Sequence, residues 1–464
     1  MAFDIRETAF KLPENWKLVR LGDIAKVNEK SLTKKSQADF IRYIDISSVS
    51  TGAFDTPKLL KKDEIPSRAK RILRNNDFII STVRPNLKQF SFIEEAQENL
   101  IASTGFCVIS SNNSKLAWYL YSLITSDLFT EYLVKISDGG AYPAFNPKEI
   151  EDAIIPLPDK DNLEFISDTS RFFHKKIQLN TQINQTLEQI AQALFKSWFV
   201  DFDPVRAKVQ ALSDGLSLEQ AELAAMQTIS GKTPEELTAL SQTQPDRYAE
   251  LAETAKAFPC EMVEVDGGEV PKGWEMKALS DLGQIICGKT PSKSNKEFFG
   301  DDVPFIKIPD MHNQVFITQT TDNLSVVGAN YQSKKYIPAK SICVSCIATV
   351  GLVSMTSKPS HTNQQINSII PDDEQSCEFL YLSLKQPSMT KYLKDLASGG
   401  TATLNLNTST FSKIEIITPS KEIIYIFTKK VVSIFEKTLS NSIENKRLTE
   451  IRDLLLPRLL NGEI

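Results

Sequence analysis

The sequence is poor in the residues from which most catalytic sites are built. Its 464 residues include only three histidines and six cysteines. His174, His312 and His361 stand far apart and share no motif, so nothing points to a His-based metal site or a nucleophile paired with a base. Only Cys343 and Cys346 make a C-x-x-C, and no second pair completes a zinc site. Two small residues in the apolar strand SICVSCIATV are the simpler reading. No G-x-G-x-x-G, G-x-x-x-x-G-K-[ST] or H-E-x-x-H is present. The Asn/Asp-Pro-Pro-aromatic loop of amino-methyltransferases is missing too, since Asn146-Pro147 is followed by Lys148 and Asp203-Pro204 by Val205. No apolar run approaches the roughly 20 residues of a membrane span. The opening MAFDIRETAF has no basic segment ahead of an apolar one, and the expectation is a cytoplasmic protein. Together these absences argue for a chain that is not itself an enzyme and that holds no metal or cofactor of its own.

What the sequence has instead is repetition. Asn184, Leu187, Ile190 and Leu194 recur, 261 positions later, as Asn445, Leu448, Ile451 and Leu455. Ile183, Leu187, Ile190 and Leu194 are spaced four, three and four apart, the stripe of an amphipathic helix. The opening PENWKLVRLGDIAKV (Pro13 to Val27) is echoed by PKGWEMKALSDLGQI (Pro271 to Ile285) at an offset of 258. Tyr121/Tyr381, Tyr132/Tyr392 and Gly139-Gly140/Gly399-Gly400 share an offset of 260. Each half then runs through an apolar strand ending at a proline, AIIPLP and IEIITP, into a long helix. A period of about 260 residues is far beyond any solenoid repeat and identifies a duplicated domain.

Within each half, turns separate short strands at 40–50, 77–84 and 105–110, and at 303–308, 341–348 and 366–370, followed by helices at 115–134 and 377–397. The long helices are expected over 162–199 and 422–460, with Pro457 breaking or kinking the second. The fold class is α+β: two similar α/β domains with a pseudo-twofold internal repeat, joined by two long antiparallel, coiled-coil-like helices. The expected organisation is a first domain at 1–158, a central helical region at 159–205, an acidic insert at 206–268, a second domain at 269–420 and a C-terminal helical region at 421–464.

The net charge of −5 is unevenly spread. Residues 201–270 hold 5 Lys+Arg against 14 Asp+Glu, a net of −9, which leaves the remainder at +4. That segment has no counterpart in the second half. It reads as two or three short helices capped at Ser217, Thr233 and Pro245/Asp246, serving as a spacer or a docking element.

Outside it, cations gather as a phosphate-binding surface requires. Lys58, Lys61, Lys62, Arg68, Lys70, Arg71 and Arg74 fall within 17 residues, and Arg84 and Lys88 follow. The second half has no arginine from Pro271 to Ser420. It offers Lys289, Lys293, Lys296, Lys307, Lys334 and Lys335, with amides at Asn313, Gln314, Asn363, Gln364 and Gln365 suited to adenine edges. A solvated charged loop would show the same cations. Two halves with one frame and different polar side chains are nevertheless expected not to read the same sequence. Phe195, Trp198, Phe199 and Phe202 crowd one helix end, which suggests either a partner interface or burial against residues 209–265.

These features resemble the specificity (S) subunits of type I restriction-modification systems. ALFKSWFVDFDPVRAK (Ala193 to Lys208), the terminal LLLPRLLNGEI and the twin P-x-x-W openings carry the resemblance, which spans nearly the whole chain. It implies two target recognition domains, each reading one half of a bipartite double-stranded DNA site. It also implies paired helices that dock two modification (M) subunits carrying S-adenosylmethionine for adenine-N6 methylation, and motor-nuclease (R) subunits using ATP and Mg beyond them. By resemblance, the divergent strand-loop segments and the loops holding Gly139, Gly140, Gly399 and Gly400 face DNA, although the glycines also suit tight turns. Leu187, Leu194, Phe195, Trp198, Phe199, Leu448, Leu455 and Leu459 become candidates for partner binding. The competing expectations are a self-contained methyltransferase or nuclease, and a scaffold that joins two proteins through its helices without touching DNA.

Overall fold

The computed structural model describes residues 3–7, 13–33, 38–137, 143–265, 268–398, 404–461 and 463. They form two compact units: Met1–Leu179 with Arg447–Ile464, and Asn180–Lys446.

The first unit is built from short, strongly apolar strands. Asp77–Ser81, buried at every position, runs between Phe106–Ser110 and Phe90–Ile93 in a four-stranded sheet completed by Lys26–Val27. A run buried on both faces needs no alternation, which is why Phe78, Ile79 and Ile80 follow one another without a polar residue between them. The second four-stranded sheet has the order Lys58–Lys61, Phe40–Ile44, Leu100–Ser103, Ala69–Ile72, and its Phe40–Ile44/Leu100–Ser103 pair is parallel. Lys17–Arg20 pairs antiparallel with Ile154–Leu157, so the start of the domain is tied to the strand that feeds the long helix.

The second unit repeats this plan. Glu275–Ala278 pairs with Glu415–Thr418. A five-stranded sheet runs Gly283–Cys287, Ile366–Pro371, Ile342–Ser345, Val353–Thr356, Phe316–Ile317, and a three-stranded one runs Asp322–Leu324, Phe299–Ile306, His361–Thr362. Of its two parallel pairs, Phe316–Ile317 with Val353–Thr356 and Phe299–Ile306 with His361–Thr362, the latter is the counterpart of the pair in the first unit. The P-x-x-W openings are the same turn twice: the Trp16 amide donates to Pro13 O (3.0 Å) and the Trp274 amide to Pro271 O (3.1 Å), and both indoles are buried.

Each domain helix expected as one piece is two. Ser114–Ile124 and Asp127–Ile136 are separated at Ser126, whose hydroxyl caps the Phe129 amide; Cys377–Lys385 and Pro387–Ala397 meet at Gln386. The long helices are Lys160–Phe199 and Lys421–Leu460. The second reaches Leu460, as expected, and Pro457 does not break it. Proline removes one amide donor, and three residues from the end the turn still closes, with the Asn461 amide donating to Pro457 O (2.9 Å). At 40 residues, each helix is about 60 Å long.

The acidic insert folds into four helices, Asp203–Ser213, Leu218–Ser230, Pro234–Thr243 and Pro245–Ala257. Ser217 and Thr233 form capping boxes with Gln220 and Glu236 as the sequence indicated, and Pro245 opens the last helix. Met226, Leu237 and Leu251 make a small core among them. The buried Lys208 ammonium donates to Ala255 O (3.1 Å) and Phe258 O (2.6 Å), tying the first of these helices to the end of the last. Burial lowers its pKa from the usual lysine range.

Candidate nucleic-acid interface

In the first unit, seven of the candidate cations lie on the sheet that contains the parallel pair, or on its connections. Lys58 and Lys61 are both exposed on an edge strand, on opposite faces of it because they stand three positions apart, and Lys62 follows, exposed, on a 3-10 turn. Among the described residues these three lysines have no ion-pair partner, whereas Arg68 pairs with Asp45 (2.8 Å) and Arg74 with Glu29. Lys70 and Arg71 are half-buried on Ala69–Ile72, and the Arg71 Nε is buried without a hydrogen-bond partner. Charged edge strands also resist unwanted strand pairing, a structural duty the same lysines perform.

Arg84 and Lys88 belong to a second locus, the hairpin loop between Asp77–Ser81 and Phe90–Ile93. Both hold the left-handed conformation (φ 50° and 49°) on either side of a Pro85–Leu87 turn. A side chain costs roughly 1–2 kcal/mol in that region, so the loop is held by its surroundings: the Arg84 amide donates to Pro143 O (2.7 Å) and Lys88 pairs with Asp127. The strand-loop segment and the residues that follow the first Gly-Gly pair are therefore neighbours. Gly139, Gly140, Gly399 and Gly400 themselves lie outside the described residues.

In the second unit, the candidates gather where the parallel pair ends. Lys307 follows Phe299–Ile306, and the Asn363 amide donates to Ile306 O (3.0 Å). Lys289 is held in the same place, its amide donating to Thr362 O (2.9 Å) and its carbonyl accepting from the Gln332 side chain (3.1 Å). Gln332 leads into the turn that carries Lys334 and Lys335. Lys293 and Lys296 are exposed on the segment leaving Lys289. Of these six lysines, Lys307 is ion-paired, with Asp322. The amides are partly committed: Asn363 donates to Gln365 (3.0 Å), and Gln364 accepts from Thr290 (2.5 Å). Asn313 sits in the left-handed region (φ 57°), and Gln314 contributes its carbonyl to Ser354 (2.8 Å).

The helix residues sort differently from the sequence reading. Trp198 is fully buried, with its indole 5.0 Å from Phe258 and 5.7 Å from Phe427, and Phe195 and Phe199 are buried against Phe379 and Phe427. The case for an interface rested on more aromatic surface than the chain could cover, and the second unit's own core covers it. Leu459 is likewise buried in the first unit's core, which Leu455 abuts. Leu187, Leu194 and Leu448 are half-buried, while Ile190 is exposed, because the buried stripe runs through Ala191, Phe195 and Trp198, one position round. The sequence reading missed a second stripe. Phe165, Phe172 and Leu179 are exposed at spacings of seven on the central helix, and Ile451 and Leu454 are exposed on the terminal one. Their heptad spacing was a legible signal.

Among the described residues no group of three His, Cys, Asp or Glu could hold a metal ion, and no helix is long and apolar enough to cross a membrane. Cys343 and Cys346 are buried, with burial pushing their thiols up to about 12 and about 11. Two like α/β domains, each with a long helix and with cations on loops and sheet edges, make up a duplicated, two-domain binding protein.

The chain belongs to the type I restriction-modification specificity family: the type I restriction modification DNA specificity domain matches residues 13–189 and again 271–453. Over 463 residues it is 70% identical to the type I restriction enzyme HindI specificity subunit of Haemophilus influenzae, which covers 97% of this chain and 100% of that protein. It is thus a DNA specificity subunit, the non-catalytic part of a type I restriction-modification enzyme. The MjaIX specificity subunit of Methanocaldococcus jannaschii is 35% identical over 164 residues, 35% of this chain and 38% of that one. Among solved structures, the type I restriction-modification S subunit of M. genitalium covers 97% of each chain at 13% identity, with a TM-score of 0.49.

Proposed function

We propose that residues 1–158 and 269–420 each read one half of a bipartite double-stranded DNA target. The helices dock two S-adenosylmethionine-dependent adenine-N6 methyltransferase subunits, and ATP- and Mg-dependent motor-nuclease subunits join through them. One observation carries this reading. At the end of the parallel pair the first unit has Asp45 bound to Arg68, and the second, at the equivalent place, has Lys307 bound to Asp322. A shared frame with inverted charge is what two different half-sites require, since base contacts specify while phosphate contacts position. The methyltransferase surface is assigned to the exposed stripe Phe165, Phe172 and Leu179 with Ile451 and Leu454, in place of the buried aromatics. The methylated base must leave the duplex to reach a methyltransferase pocket, so this chain only has to hold the complex in register.

The test uses the exposed lysines of the edge strand and its turn, where glutamate keeps the edge charged and reverses only the sign. In Lys58→Glu, Lys61→Glu, Lys62→Glu, DNA affinity of the assembled complex should fall, and the slope of log K against log salt should flatten by about 0.9 for each phosphate that is no longer neutralised. A scaffold that joins proteins through its helices would keep both its assembly and its slope unchanged.

A further inference from the structure

In the unit 180–446 the face between the two long helices changes character along its length. Ala191, Phe195 and Trp198 of the central helix meet Phe427, Val431 and Phe435 of the terminal one in a continuous apolar core. Beyond Thr438 the face turns polar although it stays buried: Asn180 is 2% exposed and Asn441 1%. Four asparagines bridge the helices there. Asn180 Nδ2 donates to Asn445 Oδ1 (3.0 Å) and Glu444 Oε2 (2.8 Å), and Asn441 Nδ2 donates to Asn184 Oδ1 (2.9 Å). Asn184 Nδ2 donates to Ser442 Oγ (3.1 Å) and Thr438 O (3.1 Å), and Asn445 Nδ2 to Thr181 Oγ1 (3.3 Å).

These bonds come in pairs. At the offset of 261 that relates the duplicated helices, Asn180 corresponds to Asn441, Thr181 to Ser442 and Asn184 to Asn445. The Asn180–Asn445 bond thus exchanges with the Asn441–Asn184 bond, and Asn184–Ser442 with Asn445–Thr181. Both copies of the ancestral helix supply the same polar set, and each set is satisfied by the other.

Apolar contact is non-directional, so leucines at these places would hold the helices together at several staggers. Buried amides do not allow that. A slip of about one turn in one direction would put Lys437 in place of Asn441 across from Asn184. In the other direction Leu448 would take the place of Glu444 across from Asn180. Neither slip restores the reciprocal set, and a buried carboxamide stranded without its partner is costly. A polar residue buried in a helix seam characteristically fixes register at some cost in stability.

We propose that Asn180, Asn184, Asn441 and Asn445 are positioning residues that set the stagger of the helix pair, and through it the length of the unread gap between the two half-sites. This rests on the bipartite reading proposed above, and the test has one arm that does not. Nitroxides attached to a non-cysteine ketone amino acid at the exposed positions Gln185 and Lys437 report the stagger in the full chain without DNA or partners. The native chain should give one narrow distance, and Asn180→Leu with Asn441→Leu a broadened or second one. An unchanged narrow distance in the variant overturns the proposal. The functional arm maps adenine methylation by the complete complex. The native chain should give one gap, and the double variant a second gap or at least a tenfold loss at the first. The native gap alone, at native efficiency, overturns the link to DNA spacing. Absence of a split motif with the native chain would count against the bipartite reading and leave the distance arm standing. Should the double variant fail to fold, Asn184→Ala, at a half-buried position, removes bonds to Asn441, Ser442 and Thr438, and the same two readouts decide.

Discussion

The two units solve the same packing problem differently where the domain meets the helices. In the second unit Phe435 packs on Tyr381 (ring centroids 5.7 Å), the Tyr381 hydroxyl donates to Glu188 (2.7 Å), and Ala191, Val315 and Ile434 leave no space that a water could occupy. At the equivalent positions of the first unit, 261 or 260 residues away, His174 packs on Tyr121 (5.7 Å), Thr449 stands for Glu188 and Arg452 for Ala191. There a cavity of ≈ 510 Å³ opens, lined by Tyr121, His174, Arg452 and Leu456 among others. Duplication preserved the backbone frame and the tyrosine, and left each copy to fill or open the space with its own side chains. The same rule holds at the candidate reading loops, where Arg84 in the left-handed region of one hairpin is matched by Ala348 (φ 63°) in the other. Frame positions repeat because packing demands them; the polar positions between them diverge.

The largest effect expected from this comparison lies at the helix ends. Trp198 and Leu459, related by 261, each anchor a helix end in its own unit's core. Trp198→Ala should cost about 3–5 kcal/mol and Leu459→Ala about 2–4 kcal/mol in urea unfolding. An equal or larger loss from Leu459→Ala would break the ranking. A smaller effect separates the units by pH. Burial, followed by the nearby Arg452, lowers the His174 pKa from 6.5 to about 4. The unfolded chain then binds this proton first as pH falls. The stabilisation is complete above about 6.5 and is lost on the way down to about 4, by on the order of 3 kcal/mol. Phe435 cannot titrate, so His174→Phe should remove this part of the acid sensitivity while that due to His361, also lowered to about 4 by burial, remains. Thermal unfolding followed from pH 7 to pH 4 checks it, and unaltered acid sensitivity in His174→Phe would contradict the assignment. The smallest difference is at the tyrosines. Tyr381→Phe loses the bond to Glu188 and should cost about 1 kcal/mol. Tyr121→Phe, whose hydroxyl has no partner among the described residues, should stay within about 0.5 kcal/mol.

Much of the frame was legible in the sequence, because duplication prints each signal twice. The long helices, read as 162–199 and 422–460, are Lys160–Phe199 and Lys421–Leu460. The breaks at Ser126 and Gln386 were not read, since hydrophobic periodicity runs through both; the Ser126 hydroxyl caps the helix after the first, and Pro387 opens the helix after the second. The stripe assigned to Ile190 fell one position off because amphipathicity defines a face only to within a residue, and the aromatic trio beside it turned inward. The binding surface was legible as composition but not as geometry. Nothing in the spacing of Arg68 and Arg74 foretold Asp45 and Glu29 as their partners, since those ion pairs join residues 23 and 45 positions apart. The asparagines could be noticed in pairs, yet only the folded chain reveals that each pair is bonded to its own copy.

The most direct test of the central claim is genome-wide adenine-methylation mapping in a host that makes the accompanying methyltransferase subunit, with and without this chain. The account predicts a split motif with one fixed gap, present only when this chain is present. Methylation unchanged by its removal, with the methyltransferase expressed and active, would contradict it.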